Sequence, residues 1–262
     1  MIPNIVHFVF GLSNKSEYFF YVYYLAILTA KMVNNPQIIY FHYHHEPYGY
    51  WWEEAKKIIL PNKIDIPTHF GNILIHKTAH RADKVRLEKL LEKGGIYLDI
   101  DTVCCKSWLH LLNNNNVVLG RQDNVGICNA IIMSEPNSYF LYYWYNTYVK
   151  VFKSDGWDEA SVVYPGQLIK YPKFESTVKI MPSDTFFEPQ FYNIDKIFVN
   201  NYDIPKNLIA LHLWETCSID HIKKIDPQWL INNKNTLYSK IVRQALGSDL
   251  INEHVTKIKK LQ

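Results

Sequence analysis

Residues 80–102 read HRADKVRLEKLLEKGGIYLDIDT, and the two halves of this stretch carry different periodicities. From His76 to Lys93 the pattern is helical: Leu87, Leu90 and Leu91 share one stripe, while Glu88, Lys89 and Glu92 point the other way. The pair Gly94-Gly95 is a strong stop signal, because glycine enters the C-cap conformation without a Cβ penalty. Ile96–Ile100 then predicts a strand with Ile96, Leu98 and Ile100 on one side and Tyr97, Asp99 and Asp101 on the other. A helix returning into a strand is half of an alternating α/β pattern, which argues for a parallel sheet covered by helices on both faces. On an extended strand the two carboxylates stand about 7 Å apart, at the end of the strand, where open α/β sheets bind ligands. Such a pair suits a hard divalent cation that bridges to phosphate oxygens. A bare Asp-x-Asp is equally compatible with a solvated turn. Asp83 falls inside the apolar stripe and Arg86 on its flank, three residues apart and able to touch. They read either as a buried ion pair, which brings little net stability, or as a polar pair facing a ligand at the mouth of the sheet.

Working outward, Ile5–Phe10 reads as a buried strand turning at Gly11, Glu17–Val33 as a helix and Gln37–Tyr43 as a second strand. Tyr50–Leu60 reads as a helix stopped by Pro61, and Ile64–Ile66 as a short strand. Downstream the pattern becomes mixed. Val117–Gly120 and Ile127–Met133 look like strands close in sequence, followed by helices over 137–153 and 157–170. Short strands fall near Val178 and over Leu208–Trp214, and the tail from Thr236 to Leu261 is helical. On the last of these strands Leu211 and Leu213 alternate with His212 and Trp214, so the His and the Trp share one face.

Composition narrows the function classes. A chain of 262 residues with 48% hydrophobic and 20% charged residues can bury a full core and is not disordered. No boundary separates two independently folding halves, so a single domain over 1–262 is expected. The net charge of +3 gives no footprint for nucleic acid or a membrane surface. Tyr18–Val33 is the most apolar run, but it falls short of the ~20 residues a membrane span requires. The opening MIPNIVHFVFG lacks a basic region ahead of its apolar residues and does not read as a secretory signal. Four cysteines without a Cys-x-x-Cys spacing point to reduced thiols and a cytoplasmic location, the host cytoplasm if the source is viral. The strong excess of lysine over arginine fits an AT-rich genome, such as that of a large DNA virus or a low-GC bacterium. No Gly-x-Gly-x-x-Gly and no P-loop occurs, which argues against dinucleotide enzymes and P-loop kinases. His42, His44, His45 and Glu46 look like a metal cluster but lack a partner at ligand spacing, so strand-end surface or acceptor contacts are the simpler reading. Trp51 and Trp52 read as core residues or as a platform for a sugar.

The joined pattern Asp-x-x-Arg, then Gly-Gly-x-Tyr-x-Asp-x-Asp, resembles the central motif of glycosyltransferase family 32, which includes α-1,4-galactosyltransferases and Golgi mannosyltransferase initiators. It is also similar to the catalytic core of the large glucosylating toxins. The resemblance implies an α/β, GT-A-type (Rossmann-like) nucleotide-sugar-binding domain with a mixed sheet and C-terminal helices. Residues 1–103 would form its nucleotide-sugar-binding half, 104–235 its acceptor-side half and 236–262 a helical tail. By the same resemblance Asp83 and Arg86 hold the donor sugar, and Asp99 and Asp101 hold Mn²⁺, with Mg²⁺ as the alternative, together with the nucleotide diphosphate. IPNIVHFVFG resembles the family's base-receiving strand, which gives Val9 and Phe10 that role. ICNAIIMSEPNSYF resembles the segment whose Asn lies beside the donor sugar, here Asn129. LIALHLWETCS resembles the segment whose His completes the metal site, here His212, with Trp214 closing the donor pocket. The match runs over roughly residues 1–220. Pro165-Gly166 reverses the family's Gly-Pro, and the membrane anchor of the Golgi members is not seen. The expected activity is metal-dependent, retaining transfer from a UDP-sugar to a glycan, protein or lipid-linked acceptor, without a covalent carboxylate nucleophile. A metal-dependent phosphohydrolase acting on nucleotides and a catalytically silent nucleotide-sugar-binding protein remain as alternatives.

Overall fold

A computed structural model describes residues 1–260. The chain runs β1 (Ile5–Val9), α1 (Tyr21–Asn34), β2 (Ile38–Tyr43), α2 (Tyr50–Lys56), β3 (Leu60–Lys63), a small hairpin of β4 (His69–Phe70) and β5 (Ile73–Leu74), α3 (Thr78–Lys93), β6 (Gly95–Leu98), β7 (Thr102–Cys104) and α4 (Leu109–Leu112). It continues as β8 (Val117–Gln122), β9 (Gly126–Ser134), α5 (Tyr139–Tyr148), a π-helical turn Glu159–Val163 leading into α6 (Tyr164–Leu168), α7 (Pro172–Glu175) and β10 (Val178–Met181). It closes with α8 (Ile194–Phe198), β11 (Ala210–His212), α9 (Glu215–Ile222), α10 (Pro227–Asn232), α11 (Leu237–Leu246) and α12 (Ser248–Lys259).

Seven strands form the main sheet in the order β10-β8-β9-β6-β1-β2-β3. Neighbours are parallel except where β9 is involved, which runs against both β6 and β8. The sheet is therefore mixed, not wholly parallel. The reversal follows from chain length: residues 123–125 link β8 to β9, enough for a hairpin but far too short for a parallel crossover. Ile96 and Leu98 of β6 pack into one apolar cluster with α1, α2 and α11, and Tyr97 packs into the other with α3 and α5. This is the face alternation expected of a strand buried on both sides.

Gly94 and Gly95 carry the chain from α3 into β6, with φ values of 65° and 108°. A Cβ at Gly95 would stand 2.4 Å from the Ile5 carbonyl oxygen, so the double glycine both stops the helix and admits β6 against β1.

Several boundaries differ from the expectation. The helix from Tyr50 ends at Lys56, not Leu60, and the predicted strand Ile64–Ile66 is replaced by β3, Leu60–Lys63, with Pro61 inside it. Proline is tolerated there because β3 is the sheet edge, where one flank needs no donor. The helix expected from Glu17 begins at Tyr21, because residues 17–19 instead hydrogen-bond to the Tyr48 backbone. The helical tail is broken into α11 and α12 at Gly247, where φ is 77°. Its expected last residue, Leu261, lies outside the described residues. Among the described residues no helix is long and apolar enough to cross a membrane.

Candidate active site

β6 ends at Leu98, and Asp99–Asp101 form a turn closed by the Thr102 N–H on the Asp99 carbonyl at 3.0 Å. This corrects the extended-strand picture of two carboxylates on one face. The turn lets them converge. Beyond it β7 pairs antiparallel with β11, and this register sets His212 opposite Thr102. His212 Nε2 lies 3.3 Å from Asp101 Oδ1 and 3.8 Å from Asp99 Oδ2. One ligand atom from each of the three residues lies within 4.8 Å of the others, the only such group found among the described residues. Two carboxylate oxygens and an imidazole nitrogen are a fitting donor set for Mn²⁺ or Mg²⁺.

β11 stops at His212, so Trp214 is not on a strand as expected. It takes a left-handed conformation (φ 58°) that turns the chain into α9. Its ring still comes to 4.5 Å from the His212 ring, and its Nε1 donates to the Pro189 carbonyl at 2.9 Å. The Glu215 N–H, first in α9, donates to Asp101 Oδ2 at 2.7 Å, and Tyr23 OH holds the Glu215 carboxylate. Asp101 is thus only 3% exposed and caps a helix, rather than standing free at a strand end.

Crowding of acids separates their titrations. Burial pushes the Asp99 carboxyl above its usual range against the pull of Arg86 and His212. Burial acts on Asp101 in the same direction, but the His212 imidazole and backbone N–H donors overcome it and hold Asp101 low. Burial opposes the His212 imidazolium, yet Asp101 and Asp99 outweigh it and raise its pKa. Glu215 is pushed up to about 7 by burial and by the neighbouring Asp101.

The buried face of α3 delivers the second half of the site. Asp83 Oδ1 accepts from Asn129 Nδ2 at 2.7 Å and lies 3.3 Å from Arg86 Nη2, while its Oδ2 accepts from Tyr148 OH at 2.9 Å. Arg86 Nη1 donates to the Asn129 carbonyl at 2.7 Å and lies 3.2 Å from Asp99 Oδ1, so the guanidinium ties the helix pair to the Asp turn. It also lies over the Tyr97 ring at 4.4 Å, and Tyr97 OH donates to Asp99 Oδ1 at 2.5 Å. Asp83 and Arg86 form a buried ion pair, and both line the cavity.

That cavity has a volume of about 780 Å³, within the size range of small-molecule sites. Val9, Phe10, Asp83, Arg86, Asp99, Asp101, Asn129, His212 and Trp214 all line it. The structure therefore brings every expected site residue to one place. His42 does not belong there. It is buried between His7 and Asn62, correcting its reading as strand-end surface, and Trp51 and Trp52 are core. His80 packs edge-on against Phe152. Sequence reasoning missed Tyr148, Tyr23, Glu215, Gln122 and Trp157. Glu215 carried a signal in its place directly after Trp214, whereas the others reach the site only through tertiary packing.

The mixed sheet, with the acid turn at the carboxyl end of its central strand β6 and the buried Asp-Arg pair of α3 beside it, defines a GT-A-type glycosyltransferase. The family described as "Glycosyltransferase sugar-binding region containing DXD motif" matches residues 12–119. A curated relative, Glucan organizing enzyme 1 of Cryptococcus neoformans var. grubii serotype A, is 34% identical over 267 aligned positions, covering 94% of this chain and 71% of its own. The chain belongs to this DXD-containing glycosyltransferase family. Among solved structures, the galactosyltransferase LgtC in complex with donor and acceptor sugar analogues superposes with a TM-score of 0.52 at 13% identity, covering 92% of this chain and 95% of that one. The apo form of the glycosyltransferase GlyE of Streptococcus pneumoniae TIGR4 gives 0.50 at 15% identity, covering 97% of this chain and 64% of that one. At these identities the two structures speak for the shared fold alone.

Proposed function

We propose that the protein transfers a sugar from a nucleotide diphosphate donor, a UDP-sugar, to a hydroxyl acceptor with retention of anomeric configuration, and that it depends on Mn²⁺. The observation that carries the reading is the convergence of Asp99, Asp101 and His212 on one point of the cavity wall, beside the buried Asp83–Arg86 pair. Mn²⁺ held by these three side chains would supply charge neutralisation for the leaving diphosphate. Asp83 and Asn129, locked together, are assigned to the donor sugar, where the remaining lone pairs of the carboxylate accept from its hydroxyls. Arg86 spends its donors on Asp99, Asp83 and the Asn129 carbonyl, so its part is to fix these groups before substrate arrives. Val9 and Phe10, at the end of β1, receive the base, and Trp214 closes the pocket over the metal corner. Attack by the acceptor hydroxyl from the face of the departing diphosphate accounts for retention without a covalent intermediate on the protein.

The test is a thermal-shift panel of nucleotides and nucleotide sugars with and without Mn²⁺, followed by NMR of the product anomer. UDP-sugar selectivity that requires the metal supports the reading. Release of phosphate from many nucleotides would point to a phosphohydrolase, and an inverted product would overturn the mechanism.

A further inference from the structure

The wall of the cavity farthest from the nucleotide end holds polar and aromatic groups that nothing in the donor site uses. Along the sheet the order β1-β6-β9-β8 sets the direction: Phe10 follows β1, Asp99 follows β6, and β8 lies two strands beyond. Gln122 ends β8 on this far side, is 9% exposed and lines the cavity, where its amide can both donate and accept.

Next to it stands the π-helical turn Glu159–Val163, a geometry that recurs at functional sites. Just before that turn, Trp157 and Asp158 line the cavity. Trp157 is 54% exposed, an unusual place for a large apolar ring. Its backbone N–H donates to Glu159 Oε2 at 2.8 Å, and Lys77 Nζ lies 5.3 Å from the ring centroid while donating to the Asp155 and Gly156 carbonyls at 2.9 and 2.6 Å. The Asp158 carboxylate makes no capping bond to the turn it precedes.

We propose that Gln122, Trp157 and Asp158 form the acceptor subsite and that the acceptor is a glycan presenting a pyranose ring, not a protein side chain. A pyranose has an apolar C–H face, which an indole ring can cover, and a rim of hydroxyls, which a carboxylate and an amide can bond in both directions. A serine or threonine side chain has no such face. This inference rests on the donor-site reading above, and the experiment separates the two.

The wild-type protein is first tested for UDP binding with Mn²⁺ by thermal shift. Absence of binding would sink the donor-site reading itself. The UDP- and Mn²⁺-loaded protein is then titrated with maltose, cellobiose and lactose, and with glycerol and a serine-containing peptide as non-ring controls. Binding is read by saturation-transfer NMR at the sugar C–H protons and by tryptophan fluorescence. The expected result is binding of at least one disaccharide and of neither control. Trp157→Ala should weaken it tenfold or more and Trp157→Phe less, with a several-fold loss for Asp158→Asn and a smaller change in UDP affinity in each case. The inference is overturned if no disaccharide binds while UDP does, if Trp157→Ala leaves sugar binding intact, or if UDP affinity falls by the same factor as sugar affinity, which would make this wall part of the donor site.

Discussion

His7 and His42, on the adjacent strands β1 and β2, and His212, on β11, are buried histidines flanked by polar groups, yet their ring nitrogens are satisfied in opposite ways. In the first cluster each nitrogen has one partner. His7 Nε2 lies 2.9 Å from the Gly94 carbonyl, which can only accept, so His7 carries its proton there. His7 Nδ1 then accepts from His42 Nε2 at 3.0 Å, and His42 Nδ1 accepts from Asn62 Nδ2 at 2.8 Å. The chain is neutral and closed. Burial, the largest influence on both, holds the pKa of His7 down to about 4 and that of His42 to about 3. In the second cluster His212 Nε2 faces two carboxylates, while its Nδ1 is buried with no partner among the described residues. Arg86 adds the nearest fixed positive charge. A closed neutral chain stabilises a fold, whereas an acidic corner left short of positive charge is a place for a cation. From sequence, the His42–Glu46 run looks like a metal cluster but lacks a partner at ligand spacing, and His212 is named as a ligand through the family resemblance.

The comparison breaks first on Asp101. Asp101→Asn keeps a cap for α9 but removes a charge, and it should lower the rate of transfer roughly 10³-fold or more, since a bound metal contributes several kcal/mol to the transition state. Near wild-type turnover with Mn²⁺ would move the metal elsewhere. The other cluster should respond in stability instead. His42→Ala leaves His7 Nδ1 unpaired and a cavity behind, and should cost about 2–4 kcal/mol in urea unfolding; a loss below about 0.5 kcal/mol would show the chain to be incidental.

Acid sharpens the contrast. His7 and His42 have folded pKa values depressed below the ordinary 6.5, so their contribution to stability is fully present above pH 6.5 and is lost as pH falls toward 4. The melting temperature should drop across that window, and a flat profile would contradict the neutral chain. His212→Ala should require roughly tenfold more Mn²⁺ in a titration of UDP binding, the effect of losing a contact in the ligand shell, with the melting temperature of the unliganded protein little changed. The smallest effect is expected from Tyr148→Phe. Loss of the hydroxyl on Asp83 should raise the donor KM about two- to tenfold and leave UDP affinity unaltered, because the bond positions the sugar-facing carboxylate. A matching loss of UDP affinity would place Asp83 at the diphosphate.

Much of the site was legible because it is local. Asp83 and Arg86 sit one helical turn apart, and a double glycine joins their helix to the strand that carries Asp99 and Asp101, so the 3.6 and 2.0 periods place them with little help from the rest of the chain. The boundaries that failed are those where tertiary context outweighs the local signal. Pro61 marks a helix stop in sequence, but the open sheet edge lets it enter β3. Leu213 and Trp214 alternate like strand residues, but the Leu213 N–H on the Asp101 carbonyl ends the ribbon and turns the chain into α9.

What the sequence determined by itself is the α/β class, the helix-to-strand joint at Gly94-Gly95 and the acid pair after it, since these depend on contacts within a few residues. Tertiary structure alone decided that the acid pair lies in a turn, that a short ribbon sets His212 against it, that Tyr148 bonds Asp83 from behind, and that Gln122 and Trp157 share its cavity. Those placements come from hydrogen-bond registers and packing between segments far apart in the chain, and no short-range pattern encodes them.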